Sequence, residues 1–220
     1  MEIIFYIKVD QKTTFYIRYS PLAQSVEHAA VNRRVVGSSP TRGAIKYHKK
    51  GEVLMDKIFL RPNGDKLIFQ DIATVIAEQM IKSPKDTYHL TVGTDSQNFD
   101  KTKIVEVIAL HRLGSGGIFF YRIDYMRKID NLRQKIQEET QRSLTNADEL
   151  LIYLEDALDQ RGFDISKFDM HFQIHCDVGR NGDTSALIQE IVGWVQSLGY
   201  ECSIKPASYA ASAIADKYSK

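Results

Sequence analysis

Cysteine is scarce: Cys176 and Cys202 are the only two in 220 residues, too few for a disulfide framework. Neither has the spacing of a zinc ligand. Long apolar runs are missing too, since nothing approaches the roughly 18 residues that a membrane-spanning helix needs. The opening MEIIFYIKVDQK places no positive region ahead of its short apolar stretch and shows no small-residue cleavage pattern, so it does not read as a secretory signal. These absences point to a reducing, cytoplasmic setting with no membrane and no disulfide partner. There is also no internal repeat, no low-complexity tract and no Gly-Lys-Ser/Thr of a phosphate-binding P-loop.

Charge of one sign is lacking overall, with a formal net charge of +1. The balance along the chain is uneven. Residues 1–54 hold nine of the 29 Lys and Arg and four of the 28 Asp and Glu, a net of +5, so residues 55–220 carry −4. That is a poor footprint for tight duplex binding, which relies on a basic surface. It leaves room for an enzyme whose clustered acids hold divalent cations. The length suits one ordinary domain plus an appendage, and a hydrophobic content of 43% supports a full core.

The appendage is residues 1–54. Its segment Pro21 to Ile45 has no sustained period of 2 or 3.6. It resembles a transfer RNA gene translated in frame. The stretch AQSVEH at 23–28 fits the codons of a D-arm, and VGSSP at 36–40 fits those of a T-arm. Between them, Ala30-Val31-Asn32 fits an asparagine anticodon. The resemblance implies spurious upstream translation, with the start at Met55 and one domain over 55–220. The alternative is a genuine basic arm whose Arg33, Arg34 and Arg42 touch phosphates.

From Met55 onward the periodicities are clear. Ile72, Val75, Ile76 and Met80 recur at 3 and 4, which predicts a helix over Gln70 to Ile81 that stops at Ser83-Pro84. Tyr88 to Asp95, Lys103 to Arg112 and Ile118 to Tyr125 read as strands joined by short turns, an antiparallel meander. A long helix is expected from about Asn131 to Gln160, ended by Gly162. A fourth strand (Met170 to Asp177), a helix (Thr184 to Ser197), a fifth strand (Tyr200 to Lys205) and a last helix after Ser208 complete the order β-β-β-α-β-α-β-α. Helical crossovers into strands four and five call for parallel pairing there. The class is α/β with a mixed five-stranded sheet and one leading helix.

The acids fall at telling places. Asp95, in GTDSQ, is expected to end the first strand, and Asp177, in HCDVG, the fourth. On parallel neighbours both carboxylates emerge at the carboxyl edge, where open α/β sheets place their ligands. Two carboxylates so close repel unless a cation lies between them or one takes up a proton. Hard oxygen donors suit Mg²⁺ or Mn²⁺. Glu139 lies on the sheet-facing stripe of the long helix, its neighbour Glu138 being turned away by about 100°. Asp216, four residues after Ser212, could join from the last helix. Four acids at one edge would hold two ions roughly 3.5–4 Å apart and cleave a phosphodiester without a covalent nucleophile. Each acid also has a plainer role available as a turn residue or a solvated helix charge.

Residues 55–220 resemble the bacterial YkuK-like family of ribonuclease H-like proteins. The likeness is carried by GTDSQ at 93–97, HCDVGRNGDTSALIQEIVGWV at 175–195 and IKPASYAASAIADKYSK at 204–220. It implies the ribonuclease H sheet order 3-2-1-4-5, an acidic metal cluster matching Asp95 and Asp177, and Glu139 and Asp216 as its further members. It also implies a divalent-metal-dependent nuclease acting on nucleic acid, RNA, DNA or hybrid. Secondary candidates surround the acids. His175, two residues before Asp177, could assist proton transfer or be a packed core histidine. Ser96, Gln97, Asn181, Lys205 and Lys217 are candidate substrate contacts, while Trp194 has core spacing. Two other classes remain: a nucleic-acid-binding or assembly module without turnover, and an actin-like sugar kinase or ATPase. The last predicts a duplicated domain about twice this size.

Overall fold

β-Branched and aromatic residues crowd the stretch from Thr87 to Met126, and it folds as three long antiparallel strands of 12, 11 and 11 residues. The computed structural model describes residues 57–180 and 184–219, with three short strands before them. Those three, β1 (Phe5–Asp10), β2 (Thr13–Ile17) and β3 (His48–Lys49), form an antiparallel sheet within a separate unit, Met1–Asp56. The segment likened to a transfer RNA gene, 21–45, lies outside the described residues.

The unit Lys57–Lys220 is α/β. It begins with a short hairpin, β4 (Phe59–Leu60) and β5 (Lys66–Leu67), and helix α1 (Phe69–Lys82). The meander follows as β6 (Thr87–Asn98), β7 (Thr102–Arg112) and β8 (Gly116–Met126). Next come the long helix α2 (Leu132–Asp159), strand β9 (Asp169–His175), helix α3 (Ile188–Ser197) and strand β10 (Glu201–Ser203). The chain closes with a π-helical turn, Ala210–Ala215, and a short helix, α4 (Asp216–Ser219).

The sheet order is β10-β9-β6-β7-β8-β4-β5. Its first five members reproduce the expected order, with β9 parallel to both β6 and β10. The sheet has seven strands rather than five, because β4 pairs with β8 at Leu60 and Tyr121 and brings β5 with it. Two-residue strands carry no readable alternation, so the turn residues Asn63-Gly64-Asp65 between them are the hairpin's signal in the sequence.

Local chemistry accounts for the helix ends. The Asp71 carboxylate accepts from the backbone N–H of Ile68 at the start of α1. Asn131 accepts from Gln134 N–H at 3.0 Å at the start of α2. Gly162, at φ +78°, then closes α2, with Phe163 N–H bonded to Leu158 C=O and Gly162 N–H to Asp159 C=O. That is the Schellman pattern. At the β7–β8 turn, a Cβ on Gly117 would meet Leu110 O at 2.7 Å, so only glycine fits.

One sheet face packs against α1, α2 and α3: Leu90, Val92, Ile108 and Phe120 share a core with Ile72, Ile76, Leu144, Leu150 and Leu154. Each such side chain contributes roughly 1.5–3 kcal/mol when fully buried. The other face carries a smaller cluster, in which Val105, Val107 and Ala109 meet Ala210 and Ala215. A buried ion network also ties α2 to the sheet. Glu106, 1% exposed, accepts from Arg142 at 2.8 Å, Asn146 at 2.8 Å and Arg122 at 3.2 Å. Arg142 reaches Asp124 and Glu138 as well.

Candidate functional site

Register decides where the acids meet. Gly93 of β6 pairs with His175 of β9, so Asp95 and Asp177 each stand two residues beyond a matched pair on parallel neighbours. Two expected details change. β6 continues to Asn98, which leaves Asp95 inside the strand opposite Val105. β9 stops at His175, so Asp177 lies just past its end. There it is kept alongside the fifth strand by Cys176 N–H to Ser203 C=O and Lys205 N–H to Val178 C=O, both at 2.9 Å. The sheet edge beside Asp95 exists because its neighbour ends early.

Alternation sends the side chains of β6 to opposite faces. Thr94 accepts a hydrogen bond from Ser143 of α2 at 2.9 Å, and Ser96 donates to Glu139 Oε1 at 2.7 Å. Asp95, between them, is on the face of Val105 and the C-terminal turn. Glu139 and Asp95 thus flank the sheet edge from either side.

Glu139 is 6% exposed. Burial pushes its carboxyl up to about 8, and the charges of Asp95 and Asp177 push the same way against the Ser96 hydrogen bond and Lys135, 3.9 Å distant. Glu138, by contrast, pairs with Arg142 at 2.7 Å. Asp177 shares a narrow crevice with Glu139, Thr140, His175 and Cys176. Its Oδ1 lies 2.9 Å from the Lys205 ammonium, although the approach is not aligned as a hydrogen bond.

The sequence of residues 71–220 matches the family described as Ribonuclease H-like. Over 169 residues the chain is 36% identical to "Uncharacterized protein YkuK" of Bacillus subtilis (strain 168), covering 74% of this chain and 97% of that protein. No solved structure gives a significant match. The chain belongs to the ribonuclease H-like family. Membership fits a nuclease or a nucleic-acid-binding module, and the fold alone does not choose between them.

In this ribonuclease H-like chain, two expected acids, Asp95 and Asp177, come within electrostatic reach of a third, Glu139. The fourth, Asp216, begins α4, and its side chain lies outside the described residues. Its expected alignment with Ser212 assumed α-helical spacing, whereas Ala210–Ala215 is a π-helical turn with i→i+5 bonding. Among the described residues, no group of three or more His, Cys, Asp or Glu side chains is placed to hold a metal ion. Chemically the donors still suit a hard cation: all are carboxylate oxygens, and Glu139 resists ionising beside two like charges.

The other candidates separate. His175, 1% exposed, accepts from Ala210 N–H through Nδ1 at 3.1 Å and packs edge-on against Tyr209. Burial pulls its pKa down to about 4, helped by His89, so it is a neutral, packed histidine that anchors the C-terminal turn. Ser96 is spent on orienting Glu139. Gln97 shares the Asp95 face, and its Oε1 is buried. Lys217 is exposed and lies 5.7 Å from the Tyr218 ring. Asn181 lies outside the described residues. Trp194 packs against the core as its spacing indicated. Sequence reasoning missed the Glu106–Arg142 network, since its members come from β7, β8 and α2. It also missed the approach of Cys176 and Cys202, whose Sγ atoms are 3.8 Å apart as free thiols.

Proposed function

We propose that the chain is a divalent-metal-dependent phosphodiesterase acting on nucleic acid. The observation that carries this reading is Glu139, a buried carboxyl held protonated near neutral pH by burial and by Asp95 and Asp177. A group so placed is stable either with a proton or with a cation. Asp95, Glu139 and Asp177 would hold Mg²⁺ or Mn²⁺, with Asp216 a further candidate from the terminal helix. The bound cation would supply Lewis-acid activation of a phosphoryl oxygen and a water of lowered pKa. The chain's own residues prepare the site. Ser96 fixes the Glu139 rotamer, and Lys205 neutralises Asp177 until a cation takes its place. No helix among the described residues is long and apolar enough to cross a membrane. Two thiols in contact yet free favour a reducing compartment, and the cytoplasm is part of this proposal.

A second reading has its own support. The Lys205–Asp177 ion pair is what an inactive binding or assembly module would keep in place of a cation. One experiment separates the two. The full chain and its Asp177→Asn variant are incubated with labelled RNA, DNA and hybrid, in Mn²⁺ and in EDTA. The nuclease reading expects Mn²⁺-dependent cleavage that falls about a hundredfold or more in the variant. Equal degradation by both proteins is contamination and removes the catalytic proposal.

A further inference from the structure

The sheet face that carries Asp95 is only partly covered. The C-terminal turn packs over its middle, where Tyr218 stacks on Tyr121 with ring centroids 4.0 Å apart. Among the described residues the covering reaches Val105, which is 0% exposed beside Ala210 and Ala215, and stops on β8 beyond Tyr121. Register places two rows there. Asp95, Val105 and Ile123 form one, and Gln97, Lys103 and Tyr125 form the next. All six share a face, since directly paired residues point the same way and alternate positions do too. Ile123 is 36% exposed and Tyr125 60%, large apolar surfaces that a sheet ordinarily covers. Phe99, at the β6–β7 turn along the same edge, is 53% exposed.

Resting on the phosphodiesterase reading, we propose that this patch is a stacking platform for unpaired bases, which makes single-stranded nucleic acid the substrate class. Three observations choose the occupant. A flat aromatic side chain standing on an open sheet offers its ring to a base face, and only unpaired bases expose theirs. The row containing Tyr125 also contains Lys103, and exposed Lys101 and Arg127 lie at the same edge, so cationic groups border the aromatic surface as a phosphate backbone requires. The platform lies within reach of the candidate site, across the covered Val105. Ile123 stands two strand spacings from Asp95, about 10 Å, so a strand with its phosphate at Asp95 can lay a neighbouring base on Ile123 and Tyr125. The modest overall charge agrees, because stacking supplies affinity that a duplex binder would draw from many basic contacts.

The test is fluorescence anisotropy on the full chain in EDTA, so that nothing is cleaved. The probes are labelled single-stranded RNA and DNA of roughly 12 nucleotides, within the usual single-strand site size, and a duplex of the same sequence. Single strands should bind more tightly than the duplex. Tyr125→Ala should weaken single-strand binding about tenfold, while Tyr125→Phe retains it. Lys103→Ala should lower the slope of affinity against salt by about one phosphate contact. Single-strand binding unchanged in Tyr125→Ala, or a preference for duplex, overturns the platform and leaves the phosphodiesterase reading standing. Failure to bind any nucleic acid removes both. A dimer in light scattering that Tyr125→Ala dissolves assigns the patch to a second copy of the chain and overturns the platform as well.

Discussion

Glu139 carries the clearest consequence at the scale of single residues. Its folded-state pKa of about 8 exceeds the ordinary 4.5, so folding favours the protonated form. Stability is therefore lost progressively as pH rises from about 4.5 to about 8, and the penalty is complete above that. Glutamine keeps the shape without the ionisation. In EDTA, Glu139→Gln should match the parent's melting temperature near pH 5 and exceed it increasingly toward pH 9, by roughly 2–4 °C for each kcal/mol relieved. A difference that does not vary with pH would mean the carboxyl ionises freely. His175 works at the other end: with its pKa lowered to about 4, it stays neutral in the fold, and stability falls as pH drops from 6.5 toward that value. At this scale the sequence brought Asp95, Glu139 and Asp177 forward as one group, and the fold sets Asp95 and Asp177 within electrostatic reach of Glu139. Asp177 lies just past the end of β9, Asp95 lies inside β6 where the end of a strand was expected, and the 3.6-residue period pointed Glu139 rather than Glu138 toward the sheet. The sequence could not show that Asp95 and Glu139 lie on opposite sides of the sheet, since that depends on the rotation of α2 over β6.

Helix α2 is the element that joins the site to the core. Its apolar stripe was readable from Ile136 to Leu158, and its boundaries differ from expectation by one residue at each end. What fastens its middle was not readable, because Glu106, Arg122 and Asp124 belong to strands, and the two acids meet Arg142 only on folding. Breaking a buried ion network from one side strands the remaining charge. Arg142→Ala should cost roughly 3 kcal/mol in urea unfolding, while the double change Glu106→Leu with Arg142→Met should recover most of it. If the double variant is no better than the single, the network does more than offset its own desolvation. The shorter elements were poorly legible for a different reason: β4, β5 and the π-helical turn are too brief or too irregular for any period to register.

For the whole molecule, the boundary near residue 55 is open to direct measurement. We propose that Met55 is the native start. Protein begun there should unfold within about 1 kcal/mol of the full chain, and the intact mass of protein from its native source should correspond to residues 55–220. A native mass that includes residues 1–54 ends that proposal. The fold class and the succession of elements followed from alternating strand and helix periods, the order of the five principal strands was implied by the family resemblance, and the sixth and seventh strands came only from the folded chain.

The ends of the sheet matter in their own right. The outermost members are β10 with three residues and β5 with two, but β8 pairs with β4 at Leu60 and Tyr121 alone and β6 runs past its last β9 pair at Gly93. The short outermost strands leave few backbone donors and acceptors for another chain to zip onto. Pairing by a further strand would have to use the longer margins that β4 leaves on β8 and β9 leaves on β6.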